Sequence, residues 1–234
     1  MPKIKASPFF CYSDDTIFNH NFNINYNNPE KYIISGNQSK ISDKEFVIIQ
    51  KELKIKQINM SAIKKIYHWK HKSFNTESGG GKFIGKLTVN DLLKKRTLYG
   101  CHDHGLLLVS IFRKYKIPAV YVDATDIKSS FDYPEKTKSI IGHVFVEIYL
   151  HKRWFLFDST SGKYIENYNP TNNLIPIKIS NTSKGFIVMF KGLDPENYGI
   201  TDIKLLINFQ KRFSNILKNE KNEISLPNYA IKKL

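Results

Sequence analysis

Three residues have side chains and spacing that could do covalent chemistry together. Cys101 follows a glycine and precedes a dense apolar run, Leu106 to Phe112. His143 opens the alternating stretch Gly142-His143-Val144-Phe145-Val146-Glu147-Ile148-Tyr149-Leu150, and Asp158 closes Arg153 to Asp158 after a short turn. A thiol nucleophile needs a base to take its proton, and the base needs an acceptor that fixes its tautomer. Cysteine, histidine and aspartate can fill those roles. Each residue alone has a plainer account: a core cysteine, a satisfied strand-end histidine, a strand terminator. Those accounts leave the order and spacing of the three unexplained.

The elements that must position these residues are legible. The apolar run continues through Val109, Ile111 and Phe112 to Tyr115 and stops at Ile117-Pro118. This predicts a helix over about 102–116, apolar on all sides and therefore enclosed by the fold. Cys101 falls in its first turn, where the positive end of the helix dipole favours a thiolate. His102 and His104 are read as a polar first turn at a cleft rim. Asp103, near the third helical position, suits the dipole and should point away from the thiol, whose pKa it would otherwise raise. Ala119 to Ala124 reads as a strand.

Residues 142–150 and 153–158 read as a β-hairpin. Val144, Val146, Ile148 and Leu150 share one face; His143, Phe145, Glu147 and Tyr149 share the other, which tolerates polar groups. The turn His151-Lys152 lacks the Gly or Asn that favours a two-residue loop. If Leu150 faces Arg153, then Phe145 faces Asp158, and His143 and Asp158 become diagonal neighbours on one face, about 7–8 Å apart at the backbone. An imidazole and a carboxylate can bridge that gap. A slip of one residue would put them on opposite faces.

The rest of the chain frames this centre. Residues 1–40, rich in Asn and aromatics, read as an irregular arm on the body. Ser42-Asp43-Lys44-Glu45 fits a capping box for a helix to about Lys54. Ser61 should start a second helix bearing His68 and His71, a weak metal pair with no third ligand nearby. Gly79 to Gly85 is a flexible loop. Its Gly80, Gly85 and Lys86 imitate a phosphate-binding loop, but Leu87 stands where a Ser or Thr is needed and no strand precedes. Thr88 or Asn90 caps a short helix. Residues 125–139 read as a surface loop, 175–179 and 186–190 as short strands, and 200–217 as an amphipathic helix before a charged tail that frays.

Composition narrows the class. The chain has 234 residues, 41% hydrophobic and 13% aromatic, enough for a sizeable core. The net charge of +15 could serve nucleic acid or anionic surfaces, but the lysines are dispersed and no nucleic-acid motif is present, so solvated faces account for them better. Two cysteines, Cys11 and Cys101, make no disulfide framework. No apolar run approaches a membrane span, and no signal-like segment opens the sequence. A cytoplasmic location is favoured, or a secreted one if a leader has been removed. The glycosylation-like Asn37-Gln38-Ser39 and Asn181-Thr182-Ser183 are read as coincidence.

Taken together, the motifs resemble a known family. Gly100-Cys101 opening an apolar helix with Ile117-Pro118-Ala119 before a strand is one half of the pattern; Gly142-His143-Val144-Phe145-Val146-Glu147 followed by Trp154 and Phe157-Asp158-Ser159-Thr160 is the other. This resembles the transglutaminase-like superfamily, within the papain-like cysteine-enzyme fold, over about residues 87–160. The resemblance implies an α+β fold with the nucleophile on a central buried helix packed against an antiparallel sheet. It implies Cys101 as nucleophile, His143 as base and then acid, and Asp158 as orienter. Many members carry an aromatic residue, often Trp, directly after the cysteine; here it is His102.

The expected organisation is an arm over 1–40, a catalytic domain over 41–200, and a C-terminal helix and tail over 201–234. The expected activity is cysteine-dependent acyl transfer on peptide or glutamine amides of a protein or peptide substrate. Hydrolysis is favoured over cross-linking, because nothing suggests a second substrate tunnel. A non-catalytic binding module of the same fold is the alternative. Zinc held by Cys101, His104, His143 and Asp158 is a minor option; no cofactor or metal is otherwise required. The Cys101 backbone N–H is the natural first oxyanion donor, with Tyr99 or the Gly-rich loop as candidates for the second.

Overall fold

The computed structural model describes residues 24–219 and 224–234. Cys11 and most of the N-terminal arm lie outside the described residues. A 3-10 turn over Pro29–Ile33 leads to α1 (Asp43–Leu53) and α2 (Met60–Ser73). The Ser42 side chain accepts from the Glu45 N–H at the start of α1. Asn59, rather than Ser61, caps α2, its side chain accepting from the Ala62 N–H. The short strands β1 (Asn75–Thr76) and β2 (Thr97–Leu98) flank α3 (Val89–Lys95), which Thr88 and Asp91 close with a reciprocal capping box.

Next comes α4 (Cys101–Lys114), whose residues from His102 to Arg113 are all buried. The strands β3 (Ala119–Asp126), β4 (Gly142–Leu150), β5 (Arg153–Asp158), β6 (Lys163–Ile165), β7 (Leu174–Ile175), β8 (Phe186–Gly192) and β9 (Ile231–Lys233) form one antiparallel sheet in the order β7-β8-β3-β4-β5-β6-β9. Helices α5 (Ile127–Asp132) and α6 (Ile203–Asn219) complete the chain. Two expectations are corrected. Part of the supposed surface loop after residue 125 is the end of β3 and the helix α5, with Asp126 accepting from the Ser129 N–H as its cap. The charged tail contributes an edge strand, β9, paired to β6.

The sheet is buried on both faces. On the α4 side, Tyr121, Val144, Val146, Ile148, Phe155 and Phe157 pack with Leu106, Leu107, Val109 and Ile111 of the helix. On the other side a second apolar layer gathers Val120, Val122, Phe145, Trp154, Leu156, Ile165 and Phe186. The hairpin face read as polar-tolerant is thus covered. Its Glu147 is fully buried and is neutralised by Lys191 at 2.6 Å, with the Tyr26 hydroxyl donating to the other carboxylate oxygen at 2.8 Å. A buried ion pair with its remaining lone pairs satisfied is the arrangement a closed apolar layer tolerates.

The hairpin register places Leu150 opposite Arg153 and Phe145 opposite Asp158. His151 and Lys152 both take left-handed backbone angles, φ 51° and 62°. Six paired positions and two buried faces hold this register despite a turn sequence that does not favour it. Helix and sheet approach closely at Gly105, where a Cβ would stand 2.4 Å from Val144 Cγ1 and 3.0 Å from Tyr121 Cε2. That contact draws the first turn of α4 down onto β3 and β4.

Candidate active site

Cys101 is the first residue of α4 and follows Gly100, whose φ of +146° suits glycine. Gly100 and Gly80 pack backbone to backbone: a Cβ on Gly100 would lie 2.8 Å from Gly80 Cα, and one on Gly80 would lie 2.8 Å from the Tyr99 carbonyl oxygen. The Gly-rich loop is thereby laid against the residue before the thiol, where Gly80 and Gly81 wall a cleft of about 420 Å³. Cys101 and His102 stand at its base. Tyr133, Ser139 and Gly142 border it, and Ile203, Leu206, Ile207 and Gln210 of α6 close one side. Gln210 is 5% exposed, and its Nε2 stands 2.6 Å from where a Cβ on Gly142 would lie. Sequence reading did not place α6 at the site. Its amphipathic period shows a buried face but not what that face meets.

His143, 7% exposed, donates from Nε2 to Asp158 Oδ1 at 2.8 Å, leaving Nδ1 for the thiol. Asp158 is tightly held: Oδ1 also accepts the Thr160 and Ser161 N–H groups at 2.9 and 3.2 Å, and Oδ2 accepts the Ser161 hydroxyl at 2.5 Å. Burial pushes Asp158 up, but His143 and these donors outweigh it and bring its pKa to about 2. Burial pushes His143 down, yet Asp158 and the Cys101 sulfur raise it to about 10. The three residues expected at the site are therefore together. Burial alone would raise the Cys101 thiol, but interactions with His102 and His143 lower it to about 6.

The first turn of α4 corrects the sequence reading. His102 and His104 are 8% and 2% exposed and do not form a polar rim. His102 places Nδ1 3.8 Å from Cys101 Sγ and Nε2 2.9 Å from Oδ2 of the fully buried Asp123 on β3. Burial lowers His102, and Asp123 with Cys101 overcomes that, raising it to about 10. His104 turns toward α2, where the fully buried Lys70 Nζ lies 2.9 Å from its Nδ1 and donates to the Ser159 carbonyl. Burial carries Lys70 down to about 7 and, with Lys70 and His71 nearby, His104 to about 3, so His104 is neutral while Lys70 titrates near neutrality behind Asp158. Asp103 points away as expected, its Oδ2 accepting the Tyr99 N–H at 2.8 Å. No cluster of three or more His, Cys, Asp or Glu suited to a metal occurs among the described residues. His71 instead packs on Tyr67 at 4.5 Å between ring centroids.

This architecture, a thiol-bearing buried helix against an antiparallel sheet, is the α+β fold expected from the sequence. A crystal structure from Cytophaga hutchinsonii, described as a "Putative Cysteine Protease", superposes with a TM-score of 0.50 at 18% identity, covering 73% of this chain and 48% of that one. A second structure, described as a "TGase", aligns with a TM-score of 0.37 at 12% identity over 60% of this chain and 34% of that one. The chain thus spans about half the length of the first of these and a third of the second. No protein-family model and no curated protein matches the sequence.

Proposed function

We propose that this protein is a cysteine-dependent acyl-transfer enzyme that hydrolyses peptide or glutamine amides through a thioester, with Cys101 as nucleophile, His143 as base and acid, and Asp158 as orienter. The observation that carries the reading is the Cys101 thiol at the base of a cleft, beside an imidazole whose far nitrogen is fixed on a buried carboxylate. The Cys101 sulfur bonds to the amide carbonyl carbon. The Cys101 N–H, at the first position of α4, is the donor that would take charge developing on the carbonyl oxygen. As the C–N bond breaks, His143 gives its proton to the leaving amine. Water then attacks the thioester, His143 takes its proton, and the C–S bond breaks to return the thiolate and release an acid.

The test is turnover of peptide amides and glutamine donors, with and without a primary amine. Cys101-dependent release of amine or ammonia without amine incorporation supports hydrolysis. Incorporation of the amine into the glutamine donor would reassign the chain to cross-linking. Absence of both turnover and a Cys101 adduct with a peptide aldehyde would leave the binding-module reading.

A further inference from the structure

We infer that the Cys101 thiolate is held by two imidazole–carboxylate pairs rather than one, with His102 and Asp123 as the second. The inference rests on the reading of Cys101 as the nucleophile and concerns what sustains its charge.

The geometry of the second pair mirrors that of the first. Each histidine spends Nε2 on a buried aspartate and keeps Nδ1 for the sulfur. His102 sits next to the thiol on the same helical turn, and Asp123 lies across the helix–sheet contact. By strand register and alternation Asp123 shares a face with Tyr121 and Val144, whereas His143 and Asp158 belong to the alternate positions, so the two pairs are built from different faces of the sheet. A packing role does not explain His102. A plain filler at this position needs no carboxylate, and burying one is costly unless a cation or donors satisfy it. Asp123 is fully buried, its Oδ1 has no partner among the described residues, and its Oδ2 receives only His102 and, at 3.3 Å, the Tyr198 hydroxyl. A protonated His102 supplies the missing positive charge, and its Nδ1–H then points at the sulfur. The Tyr121 hydroxyl donates to the His102 carbonyl at 3.2 Å and steadies the turn.

The groups facing the thiol divide by element. His102 comes from α4, Tyr121 and Asp123 from β3, His143 from β4 with Asp158 of β5 behind it, and Tyr198 from the turn after β8, while Asp103 of α4 turns away to the Tyr99 N–H. Lys138 and Lys211 also line the cleft, but the interactions that lower the thiol come from the two histidines. With a single imidazole, its loss would return the proton to sulfur at neutral pH. With two, either one alone sustains part of the thiolate.

The experiment is the pH profile of Cys101 alkylation by iodoacetamide, read at that peptide by mass spectrometry so that Cys11 does not contribute. It is run on the full chain and on His102→Gln, His143→Gln, the double variant and Asp123→Asn. The unchanged protein should label with a midpoint near 6. Each single His variant should move the midpoint up by about one unit, a roughly fivefold loss of labelling rate at pH 6. The double variant should behave as an ordinary thiol, near 8.5. Asp123→Asn should move it in the same direction as His102→Gln, and it decides the matter if thermal melting shows that His102→Gln does not fold. A His102→Gln or Asp123→Asn profile that overlays the unchanged protein overturns the inference while leaving the proposed function intact. An unchanged protein that already labels as an ordinary thiol overturns the proposed function and this inference together.

Discussion

The two imidazole–carboxylate pairs at the thiol differ in how they are built. Asp158 accepts from four donors, three of them within three residues of itself, so its carboxylate is fixed by its own turn. Asp123 receives a histidine and a tyrosine from distant elements and keeps one oxygen unpartnered. The first pair belongs to one hairpin; the second exists only because α4 docks on β3. A pair fixed locally suits repeated proton transfer, because its geometry does not depend on the packing of other elements. A pair with a bare carboxylate oxygen demands a cation and suits the holding of charge.

Measurements on matched variants can break this contrast. The largest effect is expected from His143→Ala, which should cost roughly 10³-fold or more in kcat/KM, since both proton transfers of the proposed mechanism pass through it. His102→Ala should cost far less, about 10- to 100-fold, and equal losses would erase the distinction. Asp158→Asn should cost more than Asp123→Asn, because it removes the acceptor that sets the tautomer of the proton carrier.

The pH dependence sharpens the same point. The active ion pair needs the thiol deprotonated, above about 6, and His143 protonated, below about 10, so kcat/KM should rise through the first value and fall through the second. The two limbs belong to the coupled set rather than to single residues. Stability follows related groups. Asp158 is lowered from 3.8 to about 2, so its contribution, roughly 2 kcal/mol by linkage, is present above pH 4 and lost as pH falls through 2. His143 is raised from 6.5, so its contribution is present below that value and lost as pH rises through about 10. Acid and alkaline melting of Asp158→Asn and His143→Gln should each lose the corresponding slope.

A buried pair away from the thiol serves as the control. Glu147→Gln leaves Lys191 charged in the second apolar layer and should cost about 3–5 kcal/mol of stability by denaturant titration, while Cys101 alkylation in the folded fraction is unchanged. The smallest effect is expected at Gln210→Leu. Loss of one substrate hydrogen bond from α6 should lower kcat/KM about tenfold, without moving the alkylation midpoint.

Much of the hairpin was legible before the structure. Period-2 alternation from His143 to Leu150 and the return strand to Asp158 admit one register with apolar residues on one face, and that register makes His143 and Asp158 neighbours. The buried helix was legible from its uninterrupted apolar run, with an error of one to two residues at its ends. His102 was misread because a histidine in a first turn carries no local sign of its partner, and Asp123 sits within the largely apolar run Ala119 to Ala124. The same limit hid Lys70, which helical spacing places on a face without saying that the face is buried against His104 and Ser159.

The sequence by itself determined the helix that carries Cys101 and the strand pair that joins His143 to Asp158, because both follow from periodicities of a few residues. Only the tertiary structure decided that His102 meets Asp123, that the Gly-rich loop rests on Gly100, and that α6 walls the cleft. Those contacts join elements 20 to 110 residues apart, through a helix–sheet approach that a glycine permits at Gly105.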